Sequence, residues 1–226
     1  MRVIAIDGPA GAGKSTIARA LARRLGLQYL DTGAMYRAVT FAAMQRGLSL
    51  DDTAAIGALA REAVLDVGEH GVTVDGHDAT AAIRTPEVTA AVSKVAANSE
   101  VRAEMRARQQ HWATEHDGGV IEGRDIGSVV FPDAELKLYL TASPRTRAER
   151  RVAEAGGDVD EIERAIAARD HSDLHRADSP LTMAGGSIVV DTTGSTIEEV
   201  LEHIEALMST GRSSKESRSS KGCAER

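Results

Sequence analysis

Cysteine is almost missing from this chain. Cys223 is the only one among 226 residues, so an internal disulfide and a cysteine-built metal cage are both excluded. Aromatic residues amount to 3%, and the core must be assembled from Val, Ile, Leu and Ala packed between helices and a sheet. No apolar run approaches the ~20 residues that a membrane-spanning helix needs, and Met1 leads straight into a candidate strand with no leader pattern before it. The expectation is a soluble, cytoplasmic chain that engages no membrane. Positive charge is also short: the formal net charge is -7, which argues against a nucleic-acid partner, because nucleic-acid surfaces are strongly basic. Any anion site must therefore be local. Lysine is scarcer still, with five residues among 27 basic ones. Arginine suits bidentate capture of phosphate, but a compositional bias that also enriches Ala accounts for the ratio equally well.

What is present is an alternation of strands and helices. Arg2 to Asp7 is a strand-like run ending at a glycine-rich turn, and Thr16 to Leu25 reads as a helix. A short strand follows at Gln28 to Leu30, then helices at Met35 to Arg46 and Thr53 to Ala63. Val64 to Val67 and Val72 to Val74 form a predicted hairpin that continues through His77. Helices are expected at Pro86 to Ala97 and Glu100 to Glu115, and buried strands at Gly119 to Glu122 and Leu136 to Leu140. Pro144 to Ala155 and Asp160 to about Arg169 are helical, broken by Gly156 and Gly157; a strand at Gly186 to Asp191 and a helix at Thr196 to Met208 close the pattern. Such alternation predicts an α/β fold with a mostly parallel sheet covered by helices on both faces. From Ser209 onward the chain is polar and expected to be a disordered tail, 209–226.

The sharpest signal is Gly8-Pro9-Ala10-Gly11-Ala12-Gly13-Lys14-Ser15, followed by Thr16. It matches G-x-x-x-x-G-K-[ST] between a strand and a helix, the context the phosphate-binding P-loop demands. Glycines let main-chain N–H groups turn inward on the phosphates of ATP, and the helix start adds its positive dipole end. Lys14 is expected to reach the β- and γ-phosphates. Ser15 is the candidate Mg²⁺ ligand, and Glu122 or Asp31, each at a strand end, could hold metal-bound water. For those two acids a helix cap or a surface carboxylate is the competing reading. A P-loop alone leaves motors, switches, transport ATPases and kinases open. The chain has one Asn, Asn98, and no [NT]-K-x-D segment, which weakens a guanine-nucleotide switch.

Three further clusters sit at element edges: Asp31-Thr32-Gly33-Ala34-Met35-Tyr36-Arg37, Glu122-Gly123-Arg124-Asp125-Ile126-Gly127, and the run Arg169 to Arg176. The first two follow strands, at the carboxyl edge where α/β sheets place ligands. Taken in order, the P-loop, DTGAMYR, IRTPEV, VSKVAANSEVR, EGRDIGSVVFPDA and RDHSDLHR resemble the bacterial cytidylate kinases, from Val3 to about Met208. The resemblance implies one kinase domain, 1–208, with a core, a nucleoside-monophosphate-binding insert near 34–105 containing the small β segment, and a short lid near 144–170. It implies that Arg37, Arg124 and Arg176 hold the phosphate of CMP or dCMP, that Thr32, Arg102 and Asp125 address cytosine, and that Ser93, Arg169 and Asp173 line the sugar. Thr32 stands where the family pattern has Ser, and Glu122 where Asp is more usual.

The implied reaction moves the γ-phosphoryl group of ATP onto an acceptor that is already an anion, so no general base is required. Positive charge must come from Mg²⁺, Lys14, Arg124 and lid arginines, with Arg147, Arg150 or Arg151 swinging onto the transferring phosphate. A solvated helix face is the alternative for those three. Rival readings are another small P-loop kinase, acting on UMP, shikimate or a sugar acid, and a nucleotide-dependent switch. The acidic charge and the lack of a long apolar patch favour a monomer.

Overall fold

The computed structural model describes residues 1–68 and 71–221. Strand β1 (Arg2–Asp7) leads into helix α1 (Lys14–Leu25), β2 (Tyr29–Asp31), α2 (Thr32–Gln45) and α3 (Thr53–Glu62). Three short strands follow, β3 (Leu65–Gly68), β4 (Gly71–Val74) and β5 (His77–Asp78), then α4 (Pro86–Ala96) and α5 (Ser99–Glu115). The remainder is β6 (Gly118–Gly123), β7 (Leu136–Thr141), α6 (Pro144–Ala155), α7 (Val159–His175), β8 (Ile188–Asp191) and α8 (Ile197–Lys221).

The central sheet has the order β2-β6-β1-β7-β8, and every pairing in it is parallel. β1 lies in the middle, which is why its sequence is apolar on both faces. Val3 and Ala5 pack with residues of α2, α3 and α5, whereas Ile4 and Ile6 face α1 and α8. With few aromatics to fill space, small side chains bring helices close: Ala38, Ala43 and Ala60 are all fully buried. The strands β3, β4 and β5 form a separate antiparallel sheet whose Val72 and Val74 turn inward against the α2 side of the core.

Two elements run longer than their sequence pattern predicts. α7 continues past Arg169 to His175, because neither Gly nor Pro interrupts that stretch and Asp158 caps its start by accepting from the Glu161 N–H at 2.9 Å. α8 continues to Lys221, so the expected disordered tail is helical backbone over most of its length; residues 222–226 lie outside the described residues. The apolar anchoring of α8 comes from Val200, Leu201 and Ile204. No proline follows to break the helix. A π-helical turn at Ile126–Val130 has no counterpart in the sequence reading. No helix among the described residues is long and apolar enough to cross a membrane.

Candidate active site

The phosphate loop leaves β1 at Gly8, where φ is 147° and an added Cβ would lie 2.0 Å from the Leu140 carbonyl oxygen. No side chain fits between β1 and β7 at that exit. Gly13, with φ 84°, starts α1 without any side-chain cap. The first N–H groups of the helix are thus left for an anion. Lys14 is buried and folds back on the loop, its Nζ donating to the Pro9 carbonyl at 2.8 Å. Burial, reinforced by Arg124 and Arg169, pulls the Lys14 ammonium down to about 7. A triphosphate would relieve that repulsion.

Glu122, next to the last residue of β6, lies beside Asp31 of β2. It is buried and accepts a hydrogen bond from the Tyr29 hydroxyl. Burial and then Asp31 push its carboxyl above the ordinary range, against the opposing pull of Lys14. Asp31 takes a different part: one oxygen accepts from the Ala34 N–H at 2.9 Å, capping α2, and the other pairs with Arg84 at 3.3 Å. The helix-cap reading of Asp31 is thus realised. Among the described residues no three His, Cys, Asp or Glu side chains gather as a metal cage. The hard oxygens of Ser15 and Glu122 still fit Mg²⁺, which takes few protein ligands and fills its shell with phosphate and water.

The second pocket is built from arginines held by carboxylates. Arg124, just beyond β6, donates through Nε to Asp173 of α7 at 2.8 Å. Arg102, 2% exposed, forms a buried ion pair with Asp125, and Arg176 Nη2 lies 3.5 Å from the other oxygen of Asp125. Burial raises the Asp125 carboxyl despite Arg102 and Arg176. Burial would also raise Asp173, but Arg124 and its neighbours hold it below the usual range. Arg37, on α2, donates to Thr89 Oγ1 at 2.8 Å and to the Ile83 carbonyl at 3.3 Å. Burial, together with Arg151, Arg84 and Arg124, brings Arg37 down to about 10. Arg169 is brought to about 9 by burial, Arg124 and Arg37, and its buried Nε lacks a hydrogen-bond partner. Guanidinium groups crowded in this way form a ready-made anion site. Thr32 donates to the Glu122 carbonyl at 2.6 Å, and Ser93 lines the same space from α4.

Both pockets open into one cleft of about 1240 Å³, which every predicted site residue lines except Gly8, Pro9 and Arg147. The three lid arginines part company. Arg147 is buried against the phosphate loop, donating to the Ala10 carbonyl at 3.0 Å and pairing with Asp170. In this arrangement Arg147 is held by both partners. It sits one helical turn closer to the base of α6, where a Cβ on Gly11 would lie 3.0 Å from the Arg147 Cβ. Arg150 grips Thr192 through its hydroxyl at 2.9 Å and its carbonyl at 2.7 Å. Arg151 pairs with Glu154 on its own helix, and its charge reaches both Arg37 and Arg169.

Sequence reasoning missed Asp7, Tyr29, Asp170 and Thr192. Asp7 accepts from the N–H groups of Ile126 and Gly127, each at 2.8 Å, and so holds the turn that presents Arg124 and Asp125. Burial, against those two hydrogen bonds, leaves the Asp7 carboxyl at about 6. The available signal was an acid at the end of an otherwise apolar central strand.

A main-chain cradle and a guanidinium cluster sharing one cleft serve to bring two phosphates together, and on this sheet they define a P-loop phosphotransferase. Similarity to known proteins narrows the class. The cytidylate kinase family model matches residues 4–210. A cytidylate kinase of Streptomyces avermitilis is 45% identical over 219 residues, covering 94% of this chain and 95% of that one. One of Shouchella clausii is 49% identical over 210 residues, covering 89% and 93%. The chain belongs to the cytidylate kinase family, nucleoside monophosphate kinases that transfer the γ-phosphoryl group of ATP to CMP or dCMP. In solved structures the fold recurs in a gluconokinase of Sinorhizobium meliloti, at TM-score 0.54 and 14% identity over 96% of this chain and 97% of that one.

Proposed function

We propose that ATP and CMP or dCMP lie head to head in the cleft, the donor on Gly8 to Thr16 and the acceptor phosphate among Arg37, Arg124 and Arg176. The observation that carries this reading is a single cleft lined by the phosphate loop with Lys14 on one side and by Arg37, Arg124, Arg169 and Arg176 on the other. Two polyanions would be stabilised by that concentration of positive charge. Residues 34–105 act as the insert that closes over the acceptor and 144–170 as the lid. One chain supplies both pockets, so the working unit is the monomer, acting in the cytoplasm where its nucleotides are.

Arg151 is the lid residue placed to reach the transferring phosphate, while Arg150, with Ser195 and Thr196, walls the space left for the donor base. Ser15 would hold Mg²⁺, with Glu122 or Asp31 orienting its waters, and the ion would supply neutralisation of phosphate charge. Lys14 tracks the group in flight and Arg124 fixes the attacking phosphate oxygen in line. Cytosine meets Asp125 through its N4 amine, with Arg102 donating to N3 and O2 and the Thr32 hydroxyl beside them. Ser93, Arg169 and Asp173 take the sugar. Uracil would turn O4, an acceptor, toward the Asp125 carboxylate, leaving buried polar groups unpaired at about 1 to 3 kcal/mol each.

The test is an assay of ADP formation with CMP, dCMP, UMP and AMP as alternative acceptors. CMP and dCMP are expected to exceed UMP in kcat/KM by at least about tenfold. A flat profile across the four would remove the cytosine assignment, and activity with none of them would remove the acceptor site.

A further inference from the structure

Ala10, on the outer arc of the phosphate loop, has both its main-chain polar groups taken by one ion pair. Its N–H donates to Asp170 Oδ1 at 3.3 Å, and its carbonyl accepts from Arg147 Nη1 at 3.0 Å. Arg147 and Asp170 are themselves joined by a salt bridge. The two residues come from different helices, α6 and α7, so the loop is gripped at one point by both. Neither side chain is exposed: the relative accessibilities are 8% for Arg147 and 14% for Asp170. The grip is close, since Gly11 leaves no room for a Cβ against Arg147.

A loop that binds phosphate through main-chain N–H groups works only if those groups already converge when the ligand arrives. Fixing a backbone residue costs about 1 to 2 kcal/mol of conformational entropy. A loop with glycines at 8, 11 and 13, all at positive φ, has much freedom to lose. The ion pair removes part of that freedom before ATP binds. It acts through the main chain, and Arg147 does not line the cleft in which the phosphates lie.

We propose that Arg147 and Asp170 are a positioning pair that sets the curvature of the phosphate loop and so governs affinity for the donor, without touching it. The proposal rests on the reading that ATP occupies this loop. It assigns Asp170 a part separate from its helix neighbours Arg169 and Asp173, which face the acceptor.

The test compares D170N, R147K and the double variant with the wild type, using titration calorimetry with a non-hydrolysable ATP analogue plus Mg²⁺ and, separately, with CMP. Both substitutions keep side-chain size, and CMP affinity reports whether each variant is folded. Each single variant is expected to weaken analogue binding by about tenfold while CMP binding changes by less than about twofold. The double variant is expected to match the single ones, because either change breaks the same clamp. Unchanged analogue affinity, equal weakening of both ligands, or effects that multiply in the double variant would overturn the proposal. So would a fall in kcat with both affinities intact, which would return Arg147 to the transferring phosphate. A wild-type chain that binds CMP but not the analogue would instead remove the donor reading beneath it.

Discussion

Lys14→Met is expected to lower kcat by at least about a hundredfold while leaving the chain folded and able to bind CMP. Among the described residues, Lys14 is the only lysine that lines the cleft. Its ammonium lies near Arg124 and Arg169 and is parked on the Pro9 carbonyl. In the reaction that charge must follow the phosphoryl group from donor to acceptor. A mobile point charge on a long stem suits the task better than a rigid guanidinium. Met keeps the length and apolar body of the stem and removes the charge. Because desolvating the ammonium opposes folding, the substitution should leave stability unchanged or raise it. Steady-state kinetics and a denaturant midpoint check both halves. A kcat within a few-fold of wild type would show that arginines alone carry the transferring charge.

Asp125→Asn should act on specificity more than on catalysis, reducing the kcat/KM ratio of CMP to UMP by at least about tenfold. An ionised carboxylate only accepts hydrogen bonds, so it welcomes the cytosine amine and opposes uracil O4; an amide can turn its NH₂ toward O4 instead. The same change carries a stability penalty. Asp125 is the shared partner of Arg102, which is 2% exposed, and of Arg176. Removing one charge from a buried network of this kind costs about 3 to 5 kcal/mol. Comparative kinetics with the two nucleotides, alongside chemical denaturation, measure both effects. An unchanged ratio would mean that cytosine is read elsewhere.

The parts of the molecule legible in the sequence were those whose causes are local. The run from Arg2 to Ser15 announces a buried strand, a turn and a helix because each residue's role depends on its neighbours within a few positions. The hairpin near Val72 and the proline-started helices at Pro86 and Pro144 were likewise readable. What escaped depends on distant partners. The π-helical turn exists because Asp7 accepts from Ile126 and Gly127, about 120 residues away in sequence. Nothing near Ile126 encodes it. Arg147, Arg150 and Arg151 look alike as a basic stretch, yet their directions are set by Asp170, Thr192 and Glu154, respectively. Asp31 caps α2 through its near neighbour Ala34, but its pairing with Arg84 depends on a residue far along the chain. Tyr29, whose hydroxyl holds Glu122, had no motif to draw attention to it.

Glu122 and Tyr29 also illustrate how a departure from a family pattern is absorbed locally. A longer acid at the strand end has one more rotatable bond than Asp, and the hydrogen bond from Tyr29 fixes where its carboxylate rests. The burial of Tyr29 and the Arg19 guanidinium lying 5.1 Å from its ring centre hold the tyrosine in turn.

The central claim is that both pockets serve one direct transfer between two phosphates. It is tested most directly by supplying ATP labelled with oxygen-18 in its γ-phosphoryl group together with CMP, and following the label by phosphorus NMR. Label should appear in the β-phosphoryl group of CDP at the rate at which ADP forms. Label found only in inorganic phosphate, with CMP unchanged, would contradict it.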